Sequence, residues 1–221
     1  MEILLSAKNI SKTFQGRRVL DNIDIEINNA EIVAISGPSG AGKTTLLNIL
    51  STLDKPDESN KSSLIIDNEE IFSLGKNGLA NLRNQKIGFV FQFHELIPEL
   101  SVLENVCLPG WIKKDNDVKK KAEELLKYFG LEDFTNKKPL TLSGGEKQRV
   151  AIARSLVNNP KIIFADEPTG NLDSKNSKIL FDLFFKLRDD YNCSVVIVTH
   201  DEKSANICDR KLLIVDGKIK N

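Results

Sequence analysis

The chain alternates short apolar runs with longer segments in which apolar residues recur every three or four positions. Apolar runs within 32–36, 161–167 and 194–199 have the pattern of strands that are buried on both faces. Segments 118–129 and 177–189 carry apolar residues at helical spacing. Buried strands that alternate with helices predict a parallel sheet covered on both sides, and therefore an α/β fold.

A different pattern opens the chain, where strands are predicted over 3–10 and 19–27. In the second of these, isoleucines alternate with acidic residues, which is typical of an antiparallel strand with one exposed face. A turn is predicted between the two strands, at 15–17. A polar loop over 54–63 then precedes a short strand at 64–66, so this part of the chain predicts an antiparallel β subdomain.

The middle of the chain is predicted to be an α-helical subdomain over roughly residues 95–157. Ser101 and Glu104 have the spacing of a capping box at the start of one helix, and Gly130 closes the next. A further helix begins at Ser143 and ends before residue 160. Shorter elements are predicted on either side, namely a helix at 77–84 and strands at 86–91 and 211–215.

Length and charge limit the classes of function. With 221 residues, the chain suits one domain over 1–221 that includes small subdomains. Its 31 basic residues balance 31 acidic residues, so no nucleic-acid partner is expected. No apolar run reaches the ~20 residues of a membrane-spanning helix, so work at a membrane would require a partner. The scattered Cys107, Cys193 and Cys208 are expected to be reduced thiols of a cytosolic protein.

Residues 37–45, GPSGAGKTT, match the phosphate-binding pattern G-x-x-x-x-G-K-[ST]. The loop follows a predicted strand and leads into a predicted helix at 45–50, which is the context that this motif requires. Its glycines let backbone N–H groups point at an anion, and the helix N-terminus adds partial positive charge. Lys43 is expected to reach the terminal phosphates, and the Thr44 hydroxyl to bind Mg²⁺. Alone, the loop indicates a nucleoside triphosphate without saying which one.

Other polar residues follow predicted strands directly, so they should lie at the same edge of the sheet as this loop. Asp166 and Glu167 end an apolar strand, where one carboxylate suits Mg²⁺ and the other can orient an attacking water. His200 follows the strand at 194–199, where a contact to the γ-phosphate is needed. The two acids have a simpler explanation, a strand that runs out into solvent, and His200 could be a histidine of the core. Gln92 alone does not indicate a function.

Residues 142–148, LSGGEKQ, separate the possible classes of nucleotide-binding protein. Their simplest interpretation is a capping box between Ser143 and Glu146. Two glycines in the first turn weaken a helix by roughly 1 kcal/mol each relative to alanine. They make sense if the backbone approaches a second phosphate site at this helix N-terminus. Because one chain needs only one triphosphate site, the second should face the nucleotide of another subunit.

Taken together and in this order, these motifs resemble the ATP-binding subunits of ABC transporters along nearly the whole chain. Gln92 stands at the Q-loop position of that family, and residues 142–148 stand at its signature. Residues 161–167 match its Walker B strand, residues 171–173 its D-loop, and His200 its switch histidine. The resemblance implies a P-loop NTPase (RecA-like) core that carries the antiparallel β subdomain and the α-helical subdomain.

The resemblance also implies roles for individual residues in a head-to-tail dimer that holds two ATP molecules between its subunits. Glu167, His200 and Lys43 would be catalytic. Thr44, Gln92 and Asp166 would bind Mg²⁺. The ATP-binding residues would be Phe14, at the adenine-stacking position, with Gly37, Pro38, Ser39, Gly40, Ala41, Gly42, Lys43, Thr44, Thr45, Gln92, Glu146 and Asp173, and from the other subunit Ser143, Gly144 and Gly145.

A finer resemblance lies in residues 51–54, 91–106 and 165–173, which are similar to the LolD-type group of this family. Those subunits power the release of lipoproteins from the bacterial inner membrane. The resemblance implies integral membrane permease partners and a position on the cytoplasmic face of that membrane. The residues after Gln92 would meet the permease.

Several alternatives remain beside lipoprotein release. An ATPase of a related exporter or cell-division complex would carry the same motifs. A soluble ABC protein acting on DNA or ribosomes fits less well, because Lys43 and Asp166 are too close for an inserted coiled coil and the chain holds one such domain. A GTPase or kinase would not explain LSGGEKQ.

Overall fold

The two sheets of the molecule divide it into a large α/β part and a smaller antiparallel part. A computed structural model describes residues 2–58 and 61–220, so residues 59 and 60 of the predicted loop lie outside the described part. The strands are β1 (Ile3–Phe14), β2 (Arg17–Asn28), β3 (Ile32–Ser36), β4 (Ser63–Ile66), β5 (Glu69–Glu70), β6 (Ile87–Val90), β7 (Ile162–Asp166), β8 (Ser194–Val198), β9 (Arg210–Val215) and β10 (Lys218–Lys220). The helices are α1 (Lys43–Leu50), α2 (Lys76–Lys86), α3 (Val102–Lys113), α4 (Val118–Tyr128), α5 (Gly144–Leu156), α6 (Ser174–Tyr191) and α7 (Glu202–Asn206). Over those ranges, no helix is both long and apolar enough to cross a bilayer.

The larger sheet has the strand order β10-β9-β3-β8-β7-β6. The five strands from β9 to β6 run parallel, and β10 closes one edge in the antiparallel direction. Its three central strands, β3, β8 and β7, are the apolar runs of the sequence. The predicted parallel sheet is therefore confirmed.

Two hydrophobic cores cover the two faces of this sheet. In β7, Ile163 and Ala165 pack into one core, while the neighbouring Ile162 and Phe164 pack into the other. Successive side chains of a strand point to opposite faces, so a strand with both faces covered must be apolar throughout. This burial fixes the sheet, and it leaves the carboxyl ends of the strands as the edge where polar side chains can collect.

The smaller sheet has the order β2-β1-β4-β5, and its strands are antiparallel as predicted. β1 runs to Phe14 instead of ending at Ile10, because Lys12, Thr13 and Phe14 continue to pair with β2 across register shifts. Register shifts of this kind, as at β-bulges, bend a strand and break its simple alternation. Residues 11–14 are largely polar, so the hydrophobic pattern alone did not reveal this extension.

Residues 101–156 contain the three predicted helices α3, α4 and α5. The capping box at the start of α3 is present, since the Glu104 N–H donates to Ser101 Oγ over 3.2 Å and the Ser101 N–H donates to the Glu104 carboxylate over 2.6 Å. The end of α3 lies so close to α4 that a Cβ on Gly110 would stand 2.1 Å from Val118 Cγ2. Glycine thus permits the tight turn between these helices.

The short elements β5, α7 and β10 were not predicted, nor were two 3₁₀ turns at Glu132–Phe134 and Pro139–Thr141. Helix α6 is also longer than predicted, since it begins at Ser174 instead of 177. Its N-cap is Asp173, whose carboxylate accepts from the Asn176 N–H over 2.7 Å. The domain boundaries over 1–221, with a helical subdomain over 95–157, stay a prediction.

Asn105 of α3 is fully buried and fixes the loop that precedes its helix. Its Oδ1 accepts from the Ile97 N–H over 2.8 Å, and its Nδ2 donates to the carbonyls of Ile97 and Ser101 over 3.0 and 2.9 Å. We expect Asn105→Ala to lower the free energy of unfolding by about 3 kcal/mol, because buried backbone groups lose their partners. Urea denaturation measures this, with the exposed Asn206→Ala as a control that should change little. Equal effects of the two substitutions would contradict the assignment.

Candidate active site

The P-loop joins β3 to α1 in a conformation that requires its glycines. The φ angles of Gly37, Gly40 and Gly42 are 147°, 77° and 101°, values that side-chain-bearing residues rarely adopt. A Cβ on Gly37 would also lie 2.1 Å from the Ile214 carbonyl oxygen of β9. The loop is thus held against the sheet, and it delivers the chain directly to the N-terminus of α1 at Lys43.

Lys43 is buried, and its ammonium group lies inside the curve of the loop. Its Nζ donates to the carbonyl oxygens of Gly37 and Pro38 over 2.9 and 3.0 Å. The Ala41 N–H donates to Pro38 over 3.2 Å and closes the turn. A positive charge therefore stands within the loop where a phosphate would gain from it.

A cavity of about 330 Å³ opens over this loop. Its lining residues are Val19, Ser39, Gly40, Gly42, Lys43, Thr44, Thr45 and Glu167. Val19 of β2 was not predicted as a site residue. It reaches the cavity because β2 passes close to the loop, where a Cβ on Gly42 would stand 2.9 Å from the Val19 carbonyl oxygen.

Asp166, at the end of β7, lies beside Thr44 of the P-loop. The Thr44 hydroxyl donates to its carboxylate over 3.3 Å. Burial raises the pKa of Asp166 above its usual value, while the hydrogen bond from Thr44 opposes that change and the charge of Glu167 adds to it. A hydroxyl and a partly buried carboxylate are oxygen donors of the kind that Mg²⁺ prefers, so these residues fit that ion.

Glu167 adopts a left-handed backbone conformation, with φ 46°. Two hydrogen bonds hold it there, because its N–H donates to Val198 over 2.9 Å and its carbonyl accepts from Gly170 over 3.0 Å. Its carboxylate meets Nδ1 of His200 at 2.9 Å, and the His200 side chain is otherwise exposed. Non-glycine residues held in this region of φ and ψ cluster at active sites.

Gln92 follows β6 at the same edge of the sheet, on the far side of β7 from the P-loop. Its side-chain amide lies against Gly170, where a Cβ would stand 2.9 Å from Nε2. The backbone carbonyl of Gln92 accepts from Asn171 Nδ2 over 3.1 Å. Asn171 thus ties the D-loop to the Q-loop, a link that the sequence did not reveal.

The residues at the start of α5 form a capping box that is complete within one chain. Ser143 Oγ accepts from the Glu146 N–H over 3.4 Å, and the Glu146 carboxylate accepts from both the N–H and the hydroxyl of Ser143 over 2.7 Å. These hydrogen bonds lower the pKa of Glu146. Gly144 lies near Leu172 of the D-loop, and Gly145 lies near Asn176 of α6.

The predicted site residues therefore fall into two groups within this chain. The P-loop, Asp166, Glu167 and His200 converge at the carboxyl edge of the larger sheet. Among the described residues, none of 142–148 lines the P-loop cavity, and neither does Asp173. Phe14 is not a lining residue either, since it is half-exposed at the end of β1 with the Lys12 ammonium 5.2 Å from its ring centroid.

Sequence comparison assigns the family. The family described as ABC transporter matches residues 20–170. The chain belongs to the ABC transporter family. It is 49% identical over 219 residues to the lipoprotein-releasing system ATP-binding protein LolD of Bacteroides thetaiotaomicron, covering 98% of this chain and 99% of that one. It is 46% identical over 221 residues to the LolD protein of Aquifex aeolicus, covering 99% and 97%.

Comparison with solved structures places the fold in the same family. The chain superposes with a TM-score of 0.88 on a dimeric, post-hydrolysis structure of the ATP-binding cassette MJ0796 bound to ADP and Pi, at 43% identity and covering 98% of this chain and 97% of that one. It matches cbiO1 of Clostridium perfringens, part of the transporter complex cbiONQ, with a TM-score of 0.90 at 28% identity and covers 88% of that chain. The predicted fold class and the ABC resemblance are both confirmed.

Proposed function

We propose that this chain is the ATP-hydrolysing subunit of an ABC transporter that releases lipoproteins from the bacterial inner membrane. The observation that supports it most is the 49% identity to LolD, which extends over nearly the full length of both chains. The chain would act at the cytoplasmic face, bound to integral membrane permease subunits.

The cavity over the P-loop suits the triphosphate of ATP. Lys43 would exchange its two carbonyl partners for the terminal phosphates, since its ammonium group already lies inside the loop. Thr44 and Asp166 would hold Mg²⁺ with help from Gln92, and the bound ion would neutralise charge on the phosphates. Glu167 would orient a water molecule, and His200, bonded to it, would contact the γ-phosphate.

A second copy of the chain would complete this site. Ser143, Gly144 and Gly145 are exposed or half-exposed at a helix N-terminus, outside the cavity of their own chain. A two-fold head-to-tail dimer would bring them onto the nucleotide of the partner. The relative MJ0796 is described as dimeric, which supports this arrangement here.

The segment after Gln92 is the proposed permease contact, because it exposes apolar side chains next to the site. Phe93 is 71% exposed and Ile97 is 40% exposed. We expect Phe93→Asp to abolish co-purification of the permease from detergent-solubilised membranes, since a charge would be buried at the contact. Ile65→Asp, on the exposed face of the smaller sheet, is the control. If Phe93→Asp retains the permease as well as Ile65→Asp does, this contact is wrong.

Inner-membrane vesicles that contain the co-purifying permease test the proposed function as a whole. With ATP and a periplasmic extract as acceptor, the parent chain should move lipoproteins from the vesicles into the soluble fraction. A chain with Glu167→Gln should not. Vesicles that hydrolyse ATP with a permease present yet retain all lipoproteins would point to a different cargo.

A further inference from the structure

Arg154, on the third turn of α5, holds the Q-loop segment through its side chain. Its Nη2 donates to the His94 carbonyl over 2.7 Å, and its Nη1 donates to the carbonyl of Glu95. Among the described residues it makes no ion pair, and the Glu95 carboxylate acts on it only at longer range. Burial lowers the pKa of Arg154, as expected for a guanidinium removed from water without a carboxylate partner.

The two residues that accept these hydrogen bonds adopt an unusual conformation. His94 and Glu95 have φ angles of 65° and 49°, so two consecutive non-glycine residues are left-handed. Such residues persist only where surrounding contacts over-determine them. The planar fork of arginine donates to both carbonyls at once, a geometry that lysine cannot reproduce.

The helix that carries Arg154 also carries the signature residues at its other end. Helix α5 begins at Gly144, with Ser143 as its N-cap, so the helix itself connects Arg154 to Ser143. The helix between Gly144 and Arg154 is anchored by Val150, Ala151 and Ile152, all fully buried. A shift of the segment would therefore either carry α5 with it or leave a buried guanidinium without partners, which is costly.

We propose that Arg154 is a positioning residue that couples the permease-facing segment 93–97 to Ser143 at the start of α5. The biological role of this link rests on the proposed function, because the link would transmit docking of the permease to the residues that face the ATP of the partner subunit. Its physical content, a segment and a helix that move together, does not depend on that function.

Hydrogen–deuterium exchange on the isolated chain tests the link directly. We expect Arg154→Met to raise the exchange of amides in both 93–97 and 143–146. The control is Arg83→Met on α2, because Arg83 also donates from its guanidinium to a backbone carbonyl, that of Thr52 over 2.9 Å. Faster exchange confined to 93–97, with 143–146 unchanged from the parent, would overturn the proposal.

The ratio of ATP hydrolysis with and without the permease tests the same link in the complex. We expect Arg154→Met to lower this ratio by about tenfold, a typical coupling between two sites, and Arg154→Lys to lower it less. Arg83→Met should keep the parent ratio. If the Arg154→Met chain keeps the same ratio as the parent chain, the link is overturned. If Arg154→Met does not fold, the same two measurements are made on Arg154→Lys. An Arg154→Lys chain that keeps both the parent ratio and the parent exchange overturns the link.

If no permease stimulates ATP hydrolysis by the parent chain, the proposed function is contradicted. The exchange experiment on the isolated chain still tests the link by itself.

Discussion

Replacing Glu167 by glutamine is expected to lower ATP turnover by about 10²- to 10⁴-fold, the range that a positioned general base contributes. Glutamine has the same shape, and its amide can still meet Nδ1 of His200, where the carboxylate now lies at 2.9 Å. The hydrogen bonds that fix residue 167 come from its backbone, so its left-handed conformation should persist. The loss would then reflect the missing carboxylate alone.

The same substitution should trap an ATP-bound dimer, because ATP binds but is not hydrolysed. Size-exclusion chromatography at saturating ATP measures the dimer, and phosphate release measures turnover. Glu202→Gln, an exposed acid in the first turn of α7, is the matched control and should behave like the parent. A Glu167→Gln chain that stays monomeric at saturating ATP would contradict both the role of Glu167 and the dimer.

Much of the larger sheet could be predicted from sequence because burial on both faces leaves a plain signature. Strands β3, β7 and β8 are apolar runs, and each ends where a motif begins. The tail of β1 and the short α7 and β10 could not be predicted in this way. Their residues are largely polar, and they are fixed by pairing and packing with distant parts of the chain.

The residues of the candidate site likewise include some that could be predicted from sequence and some that could not. The P-loop, Asp166 and His200 were predicted because each motif has a fixed spacing and follows a strand. Val19 and Arg154 were missed, since neither belongs to a local motif. Val19 reaches the cavity only because β2 passes beside Gly42, and Arg154 matters only because residues 94 and 95 fold back over α5. Such roles arise from tertiary contacts that no local pattern records.

Replacing Ser143 by arginine is expected to leave ATP binding intact and to lower turnover by about 10²-fold or more, as when a donor to a transition-state charge is removed. Binding should persist because the cavity over the P-loop holds no residue of 142–148. Loss of the N-cap is a separate effect, worth roughly 1 kcal/mol. Ser143→Asp keeps a good N-cap yet brings a negative charge to the phosphates, so it should also lose turnover, while Ser143→Thr should keep it.

Mixing two inactive variants shows whether Ser143 acts on the nucleotide of its own chain or on that of a partner. Ser143→Arg and Lys43→Met homodimers should both be inactive. In a head-to-tail hybrid, one site combines both defects, and the other combines an intact P-loop with an intact signature. Mixing should therefore restore hydrolysis, measured as phosphate release after co-incubation with ATP. Because sites built within one chain would all stay defective in the mixture, absence of any recovery would argue that each copy hydrolyses ATP with its own Ser143.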